Sequence, residues 1–190
     1  MRIVGGMWRG RALEAPEGRN VTRPTTDRTR ESMASMVLSA FDLDLSEVRM
    51  LDAFAGSGAI GYELLSRGAR SCTFCDADRK AVARIKRNGQ ALGAAREAHA
   101  VVGGDVFKLV ARGLPLGPFS LVVLDPPYAL EAERVSELVQ ALADSGQRAT
   151  PCYVLYERAS SGAQLTLANA AMISSKTHGT TAVDLVRIGA

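Results

Sequence analysis

The tetrapeptide Asp125-Pro-Pro-Tyr128 carries the residue types best suited to chemistry on a flat amine. Its two prolines have no amide hydrogen to donate, so they end the apolar run before them and leave carbonyl oxygens as acceptors. Asp125 and the Pro126 carbonyl would accept hydrogen bonds from an NH₂ group and direct its lone pair toward an electrophilic methyl carbon. Tyr128 would stack on the ring that bears the amine. The tetrapeptide therefore predicts methyl transfer to an exocyclic amine, with Asp125, Pro126 and Tyr128 as its catalytic residues.

A glycine-rich segment, Asp52-Ala-Phe-Ala-Gly-Ser-Gly58, forms the second candidate site. Glycines at a strand-to-helix turn let the backbone approach a ligand that a Cβ atom would exclude. The pattern G-x-G-x-x-G also begins at Gly56, and Asp76 follows 20 residues later, as in a dinucleotide fingerprint. The glycines alone therefore leave both NAD and S-adenosylmethionine open as the cofactor. Asp52 favours S-adenosylmethionine, because a carboxylate suits a cationic amino-acid ligand and repels a pyrophosphate.

Two further acidic residues follow predicted strands, and each has two interpretations. Asp76 suits the ribose hydroxyls of the cofactor, although a solvated cap of the next helix is the alternative. Asp105 suits the adenine amino group, although an N-cap of the following helix explains it nearly as well. The predicted cofactor-binding residues are Asp52, Ala55, Gly56, Ser57, Gly58, Asp76, Ala77, Asp105, Val106 and Asp125.

Short apolar runs alternate with helical patterns through most of the chain. Strands are predicted at four apolar runs: 50–54, 72–75, 100–102 and 121–124. Helices are predicted at four segments that follow them: 58–66, 79–92, 106–112 and 131–143. The segments 153–156, 165–173 and 181–188 predict a fifth strand and a closing antiparallel pair. The sequence thus predicts an α/β fold, a doubly wound, mostly parallel seven-stranded sheet of the Rossmann-like type, with ligands at the carboxyl ends of its strands.

The first 30 residues differ from the rest in charge. They hold seven arginines against three acidic residues, a balance of +4, whereas the whole chain has a net charge of +3. Segments 2–6 and 9–13 predict a β-hairpin appended to the core, segment 16–24 an extended loop, and Asp27 the N-cap of a helix. We expect one domain, 1–190, in which a basic arm, 1–30, precedes a catalytic core, 31–190. Such an arm suits a polyanion, although a solvated basic tail explains it about as well.

The composition limits the cellular setting and excludes several classes of site. In a chain of 190 residues with 47% hydrophobic content we expect no signal peptide, and no apolar run reaches the roughly 18 residues that a membrane span needs. Cys72 and Cys75 lie three positions apart on a predicted strand and so point to opposite faces, which makes them a poor metal pair. We therefore expect no metal site. With Cys152 the chain has an odd number of cysteines, so we also expect no disulfide framework and a reducing, cytoplasmic location.

Beyond these patterns, the chain resembles the RsmD family, the 16S rRNA guanine-N2 methyltransferases, over essentially its whole length. The arginine-Pro-Thr-Thr block is the most specific match. The matching segments are Arg2-Ile-Val-Gly-Gly6 with Trp8-Arg-Gly-Arg11, Arg23-Pro-Thr-Thr-Asp-Arg-Thr-Arg-Glu31, Asp52-Ala-Phe-Ala-Gly-Ser-Gly-Ala-Ile-Gly61, Ser66-Arg-Gly-Ala69 and Asp125-Pro-Pro-Tyr128. The chain departs from the family pattern at Asp76, where Glu is commoner, at Asp105 in its Gly-Gly context, and at Thr177-His-Gly-Thr180.

The resemblance implies a role for each motif. It implies that Asp52, Gly56 and Gly58 hold the methionine part of S-adenosylmethionine, that Asp76 contacts its ribose and that Asp105 contacts its adenine. It places the target guanine at Asp125 and Tyr128. The residues implied to contact RNA are Arg9, Arg11, Arg23, Thr25, Arg28, Arg30 and Tyr128. The implied partner is 16S rRNA, in the small ribosomal subunit or its assembly intermediate, and the expected enzyme is a monomer that uses neither metal nor membrane.

Other functions stay open on the sequence alone. A methyltransferase that acts on adenine N6 of nucleic acid or on glutamine N5 of protein can use the same Pro-Pro-Tyr chemistry, although the arginine-rich arm favours structured RNA. An NAD-dependent oxidoreductase would explain the glycines and Asp76, yet it would give Asp125-Pro-Pro-Tyr128 no role. An RNA-binding protein without catalysis would leave every chemical motif position occupied but unused.

Overall fold

A computed structural model describes residues 1–16 and 27–189 of the chain. Two of the predicted RNA contacts, Arg23 and Thr25, and most of the predicted extended loop lie outside the described residues. The helices are α1 (Asp27–Ala40), α2 (Ala59–Ser66), α3 (Arg79–Leu92), α4 (Val106–Arg112) and α5 (Ala132–Asp144). The strands are β1 (Arg49–Asp52), β2 (Ser71–Asp76), β3 (His99–Gly103), β4 (Phe119–Leu124), β5 (Arg148–Ala159), β6 (Ala170–His178) and β7 (Thr181–Ile188).

These strands form one sheet in the order β3-β2-β1-β4-β5-β7-β6. Strands β1 to β5 are parallel to one another, and β7 runs antiparallel to both β5 and β6. The predicted fold class is therefore confirmed. The strand order reverses between β1 and β4, and such a switch point opens a crevice at the carboxyl ends of the strands. Because Asp52 is paired in register with Val123, Asp52 and Asp125 end neighbouring strands.

Apolar side chains fill both faces of the sheet. One cluster contains Cys72 and Phe74, and the other contains Cys75 and Val122. The separation of Cys72 from Cys75 confirms that they point to opposite faces of β2. Both thiols are buried and free, as is that of Cys152.

The tail of the chain differs most from its predicted boundaries. Strand β5 extends well beyond the predicted segment 153–156, because its backbone pairs with β4 on one side and with β7 on the other. Strand β6 begins at Ala170, later than the predicted 165. Leu165 and Leu167 lie before it in a connecting segment and pack against the core, so their apolar character reflects burial rather than strand pairing.

The N-terminal segment pairs as the predicted hairpin, but it is tied into the core rather than appended to it. Arg2 and Ala12 form an antiparallel bridge, the Ile3 amide donates to the Arg11 carbonyl at 3.0 Å, and the Leu13 amide donates to the Met1 carbonyl at 2.9 Å. Ile3 and Leu13 are only 1% and 4% exposed and belong to the core. The predicted boundary between residues 30 and 31 also falls inside α1, which begins at Asp27.

A buried carboxylate anchors this segment to the rest of the molecule. Glu63 of α2 is fully buried and accepts hydrogen bonds from the amides of Val4 at 2.7 Å and Gly5 at 2.8 Å. Arg67, one helical turn later, donates to the same carboxylate at 2.8 Å. Among the described residues, no helix is long and apolar enough to cross a membrane.

Candidate active site

Three acidic residues end three neighbouring strands at the crevice. Asp52 ends β1, Asp76 ends β2, and Asp125 follows β4. Since β1 lies between β2 and β4, the predicted methionine, ribose and target residues meet at one edge of the sheet. The parallel topology thus assembles the site that the separate motifs predict.

The glycine segment forms the floor of this crevice. Gly56 and Gly58 have φ angles of 57° and 75°, values that side-chain-bearing residues rarely adopt. A Cβ atom at Gly58 would approach the Tyr62 ring to 3.0 Å, whereas one at Gly56 would meet no heavy atom within 4 Å. The backbone at Gly56 therefore faces open space, and glycine there leaves room for a ligand.

Hydrogen bonds from two neighbouring elements hold the glycine segment. The Gly56 amide donates to Asp76 Oδ2 at 2.7 Å, which connects the end of β1 to the end of β2. On α3, the Asn88 side chain donates to the Ser57 carbonyl at 3.0 Å, and Arg84 donates to the Gly56 carbonyl at 3.5 Å. The loop is thus fixed from both sides before any cofactor binds.

Asp52 is the strongest electrostatic feature of the crevice. Its side chain is 1% exposed, and neither carboxylate oxygen has a hydrogen-bond partner among the described residues. Burial, together with the nearby carboxylate of Asp125, raises the pKa of Asp52 to about 8. A buried carboxyl group without partners is costly to ionise, so it calls for a cationic ligand. The ammonium group of S-adenosylmethionine meets that requirement, and the residues present fit this cofactor.

The remaining predicted cofactor residues surround the crevice in different ways. Asp105 is exposed and caps α4, because its side chain accepts a hydrogen bond from the Phe107 amide at 3.0 Å. Ala77 is exposed just beyond β2. The side chains of Ala55 and Val106 are 8% and 4% exposed, so these two residues can offer a ligand little besides their backbone. The helix-cap interpretation of Asp105 is confirmed, while its adenine contact stays a prediction.

The Asp-Pro-Pro-Tyr segment presents acceptors on one side and a ring on the other. Burial raises the pKa of Asp125 to about 6, and Pro126 is buried beside it. Tyr128 is 60% exposed, and its hydroxyl lies 3.3 Å from Thr181 Oγ1. An open cleft of about 290 Å³ begins at this segment and reaches the loop that follows β5.

Comparison with known proteins decides the family. The family described as conserved hypothetical protein 95 matches residues 1–187. Ribosomal RNA small subunit methyltransferase D of Escherichia coli K12 is 34% identical over 157 residues, which cover 83% of this chain and 74% of that protein. The chain belongs to the RsmD family.

Solved structures agree with this membership. The structure of yhhF from Escherichia coli covers all of this chain with 98% of its own length, at 30% identity and a TM-score of 0.81. The same fold is seen in magnesium protoporphyrin IX methyltransferase from Synechocystis PCC 6803 with bound S-adenosylmethionine, at 18% identity and a TM-score of 0.64, over 86% of this chain and 79% of that one. The family membership makes the chain a methyltransferase.

One arginine predicted to contact RNA in this RsmD-family chain is instead structural. Arg30 is 1% exposed, and its guanidinium donates to the Arg2 carbonyl at 3.0 Å and pairs with Asp27. A side chain so enclosed cannot reach a phosphate without unfolding the start of α1. The prediction for Arg30 is therefore wrong, because sequence alone could not show which face of the helix is buried.

The other described arginines predicted to contact RNA lie at two separate places. Arg11 donates to the carbonyls of Ala91 and Leu92 at the end of α3, where a cation also stabilises the helix dipole. Arg9 is exposed beside Trp8, whose amide donates to Ser66 Oγ at 2.9 Å at the end of α2. Both helices begin near the crevice, so Arg9 and Arg11 lie at their far ends.

Arg28 occupies a different position from the hairpin arginines. It is exposed on the first turn of α1, four residues before Ser32. Ser32 Oγ lies 3.1 Å from His178 Nε2, and His178 ends β6 beside the strand that carries Thr181. Among the described arginines predicted to contact RNA, Arg28 is therefore the one exposed near the catalytic edge.

Sequence reasoning missed several residues that shape the site. Arg84 and Asn88 lie one turn apart on α3 and face the glycine segment, yet polar residues at such spacing look like a solvated helix face. Thr181 contacts Tyr128 although 53 residues separate them in sequence. The register between β5 and β7 brings Thr181 to the crevice, and no local pattern indicates that register.

Proposed function

We propose that this protein transfers a methyl group from S-adenosylmethionine to the exocyclic N2 amine of a guanine in 16S rRNA of the small ribosomal subunit. The observation that carries the proposal is the meeting of Asp52 and Asp125 at the β1–β4 switch point, beside the exposed ring of Tyr128. The Asp52 carboxyl group suits the cationic cofactor. The Asp125 carboxyl group suits the target amine, which must be held next to the cofactor's methyl group. The name of the Escherichia coli relative supports small-subunit rRNA as the substrate.

The residues of the crevice account for binding and orientation. Asp52 pairs with the cofactor's ammonium group, Asp76 and Asp105 accept from its ribose and adenine, and the backbone at Gly56 leaves room for its chain. Fixing both reactants in this way is worth up to about 7 to 11 kcal/mol in well-oriented systems. Catalysis then needs no strong general base.

The chemical step follows from the acceptors on β4. The bound cofactor supplies a methyl group on a positively charged sulfur. Asp125 and the Pro126 carbonyl accept hydrogen bonds from the guanine NH₂, so its lone pair points at that methyl carbon. The nitrogen would take the methyl group as its bond to sulfur breaks, with the electron pair left on sulfur, and Asp125 takes the proton that the methylated nitrogen loses. A carboxyl group with a pKa near 6 is mostly ionised at neutral pH, so it can orient the amine, and it is more basic than an ordinary aspartate, so it can hold the proton briefly.

The RNA surface is proposed to include two separate contacts. Arg28 is suited to a phosphate close to the target base, because it is exposed near the catalytic edge. Arg9, with Arg11 beside it, would meet RNA about one helix length away, roughly 10 Å along α2. A structured rRNA substrate can reach both places at once. We also propose that the protein works as a monomer in the cytoplasm, without a metal ion.

Two other amine substrates remain as competing hypotheses. Adenine N6 and protein glutamine N5 could occupy the same acceptors, whereas the family membership removes the case for an NAD-dependent oxidoreductase. To separate them, labelled S-adenosylmethionine is offered with unmodified small subunits, naked 16S RNA, duplex DNA and unmodified ribosomal proteins. We expect label in 16S rRNA of the subunit or its precursor, and label confined to protein or DNA would refute the proposal.

A further inference from the structure

The cleft beside Tyr128 is bounded by a segment that the catalytic motifs do not explain. Pro126 and Tyr128 form one side, and Ala159 at the end of β5 and Gly162 in the loop that follows form the other. The turn between β6 and β7 meets this loop, because the Ser160 amide donates to the Thr180 carbonyl at 2.9 Å. The loop that borders the cleft is therefore attached to the turn between β6 and β7.

An ion pair between β5 and β7 holds the loop after β5 in place. The Arg158 guanidinium donates to Asp184 at 2.7 Å, and their side chains are only 10% and 2% exposed. The same guanidinium donates to the carbonyls of Ala159 at 3.2 Å and Gly162 at 2.9 Å. Charge-assisted bonds of this kind are stronger than neutral ones, so the loop after β5 has a defined position. Ser175 donates to Asp184 from the neighbouring strand at 2.6 Å.

Thr181, the first residue of β7, connects this part of the sheet to Tyr128 of the Asp-Pro-Pro-Tyr segment. It is 9% exposed, and backbone pairing fixes it from both sides, opposite Ala159 on β5 and His178 on β6. Its hydroxyl lies 3.3 Å from the hydroxyl of Tyr128, whose ring is otherwise mostly exposed. The contact with Thr181 thus ties the far end of an exposed ring to the sheet.

We propose that Thr181 is a positioning residue, which holds the ring of Tyr128 in the orientation that receives the target base. The inference rests on the proposed function, since it assigns Tyr128 to the target base. A ring that rotates freely stacks in many orientations, and misplaced reactants lose rate even when affinity changes little. The Thr181 hydroxyl removes that freedom without touching the base or the cofactor.

The test compares Thr181→Val, which keeps the shape of the side chain, with Thr181→Ser, which keeps the hydroxyl. We expect Thr181→Val to lower kcat/KM for the RNA about fivefold, mostly through kcat, as loss of one neutral hydrogen bond implies. Thr181→Ser should restore most of this loss. Affinity for S-adenosylhomocysteine should change by less than about twofold in both variants, because Thr181 contacts Tyr128 and is not among the residues proposed to hold the cofactor.

A double-mutant cycle with Tyr128→Phe shows whether the effect passes through the tyrosine hydroxyl. In the Tyr128→Phe background, Thr181→Val should cost nothing further. The inference is overturned if Thr181→Val retains the wild-type rate, if Thr181→Ser is equally impaired, or if the loss persists in the Tyr128→Phe background.

A second measurement does not depend on the RNA substrate. In protein with ¹³C-labelled tyrosine rings, Thr181→Val should shift and broaden the resonance that Tyr128→Phe removes, and should leave those of Tyr62, Tyr153 and Tyr156 in place. If wild-type protein methylates no RNA, the proposed function fails, and this spectrum alone decides the role of Thr181. An unchanged Tyr128 resonance would overturn the inference even in an active enzyme.

Discussion

Asp52 and Asp125, at the ends of the adjacent strands β1 and β4, both have carboxyl groups that are hard to ionise. The pKa of Asp52 is raised to about 8, by burial and by the charge of Asp125, and burial raises the pKa of Asp125 to about 6. In the protein without cofactor, these two carboxyl groups therefore bind protons at a higher pH than ordinary aspartates do. A bound cation would favour their ionised forms, so cofactor affinity, protein stability and methyl-transfer rate should all depend on pH.

Replacing Asp52 should stabilise the protein without cofactor while weakening cofactor binding. A carboxyl group with a raised folded pKa contributes stability below its unfolded pKa, near 3.9, and loses it as pH rises through about 8. Asp52→Asn carries no such charge, so its melting temperature at pH 8 should exceed that of the wild type. Thermal unfolding at pH 5 and pH 8 measures this, with Asp42→Asn at an exposed site as the control. A less stable Asp52→Asn at pH 8 would show that the carboxylate is already compensated.

Cofactor binding should release protons near neutral pH. Asp52 is mostly neutral below pH 8 in the free protein, whereas pairing with an ammonium group favours the carboxylate. Affinity for S-adenosylhomocysteine should therefore rise with pH up to about 8 and then level off. Calorimetry in buffers of different ionisation enthalpy counts the protons. Equal heats in all buffers, or equal proton release by Asp52→Asn, would contradict the pairing.

Methyl transfer should depend on the ionised form of Asp125. Because its pKa is about 6, the single-turnover rate at saturating cofactor should fall about tenfold per pH unit below pH 6 and level off above pH 7. Asp125→Ala should abolish transfer while the protein still binds S-adenosylhomocysteine. Rapid-quench measurement across pH 5 to 8 tests both, and substantial turnover by Asp125→Ala would exclude an orienting role for this carboxylate.

Asp76 should matter more for the cofactor than its neighbour Asp78. Asp76 accepts from the Gly56 amide, so Asp76→Ala should loosen the glycine segment in addition to removing the proposed ribose contact. Asp78 caps α3 through the Lys80 amide, and its loss should cost stability of about 1 kcal/mol. Titration with S-adenosylhomocysteine should show a large loss for Asp76→Ala and a small one for Asp78→Ala. Equal losses would mean that helix stability alone governs the site.

The arginines of the arm should separate into binding and structural residues. Arg28 is exposed, so Arg28→Ala should reduce the slope of log affinity for RNA against log salt by about 0.7 to 0.9. Arg30→Ala should leave that slope unchanged and instead lower the melting temperature, because it breaks the bonds to Arg2 and Asp27. Filter binding from 50 to 300 mM salt distinguishes them, and a changed slope for Arg30→Ala would place that guanidinium at the RNA.

The sequence predicted the sheet and the catalytic edge because both depend on local patterns. The glycine segment and Asp-Pro-Pro-Tyr each follow an apolar strand, and parallel topology alone brings such strand ends together. It could not predict that Asp76 holds Gly56, since that bond depends on the loop's conformation.

Features set by long-range pairing escaped prediction for the same physical reason. Arg30 and Arg28 look alike in sequence, and only the packing of α1 buries one of them. The contact between Thr181 and Tyr128 depends on the register of β7 against β5, which a run of β-branched residues does not specify.

The identity of the methylated nucleoside tests the central claim most directly. Unmodified small subunits are incubated with labelled S-adenosylmethionine and wild-type protein, and the 16S rRNA is digested to nucleosides for chromatography with mass detection. We predict that the label co-migrates with N2-methylguanosine and is absent from a parallel reaction with Asp125→Ala. Label in N6-methyladenosine, or in any product that Asp125→Ala also forms, would contradict this account.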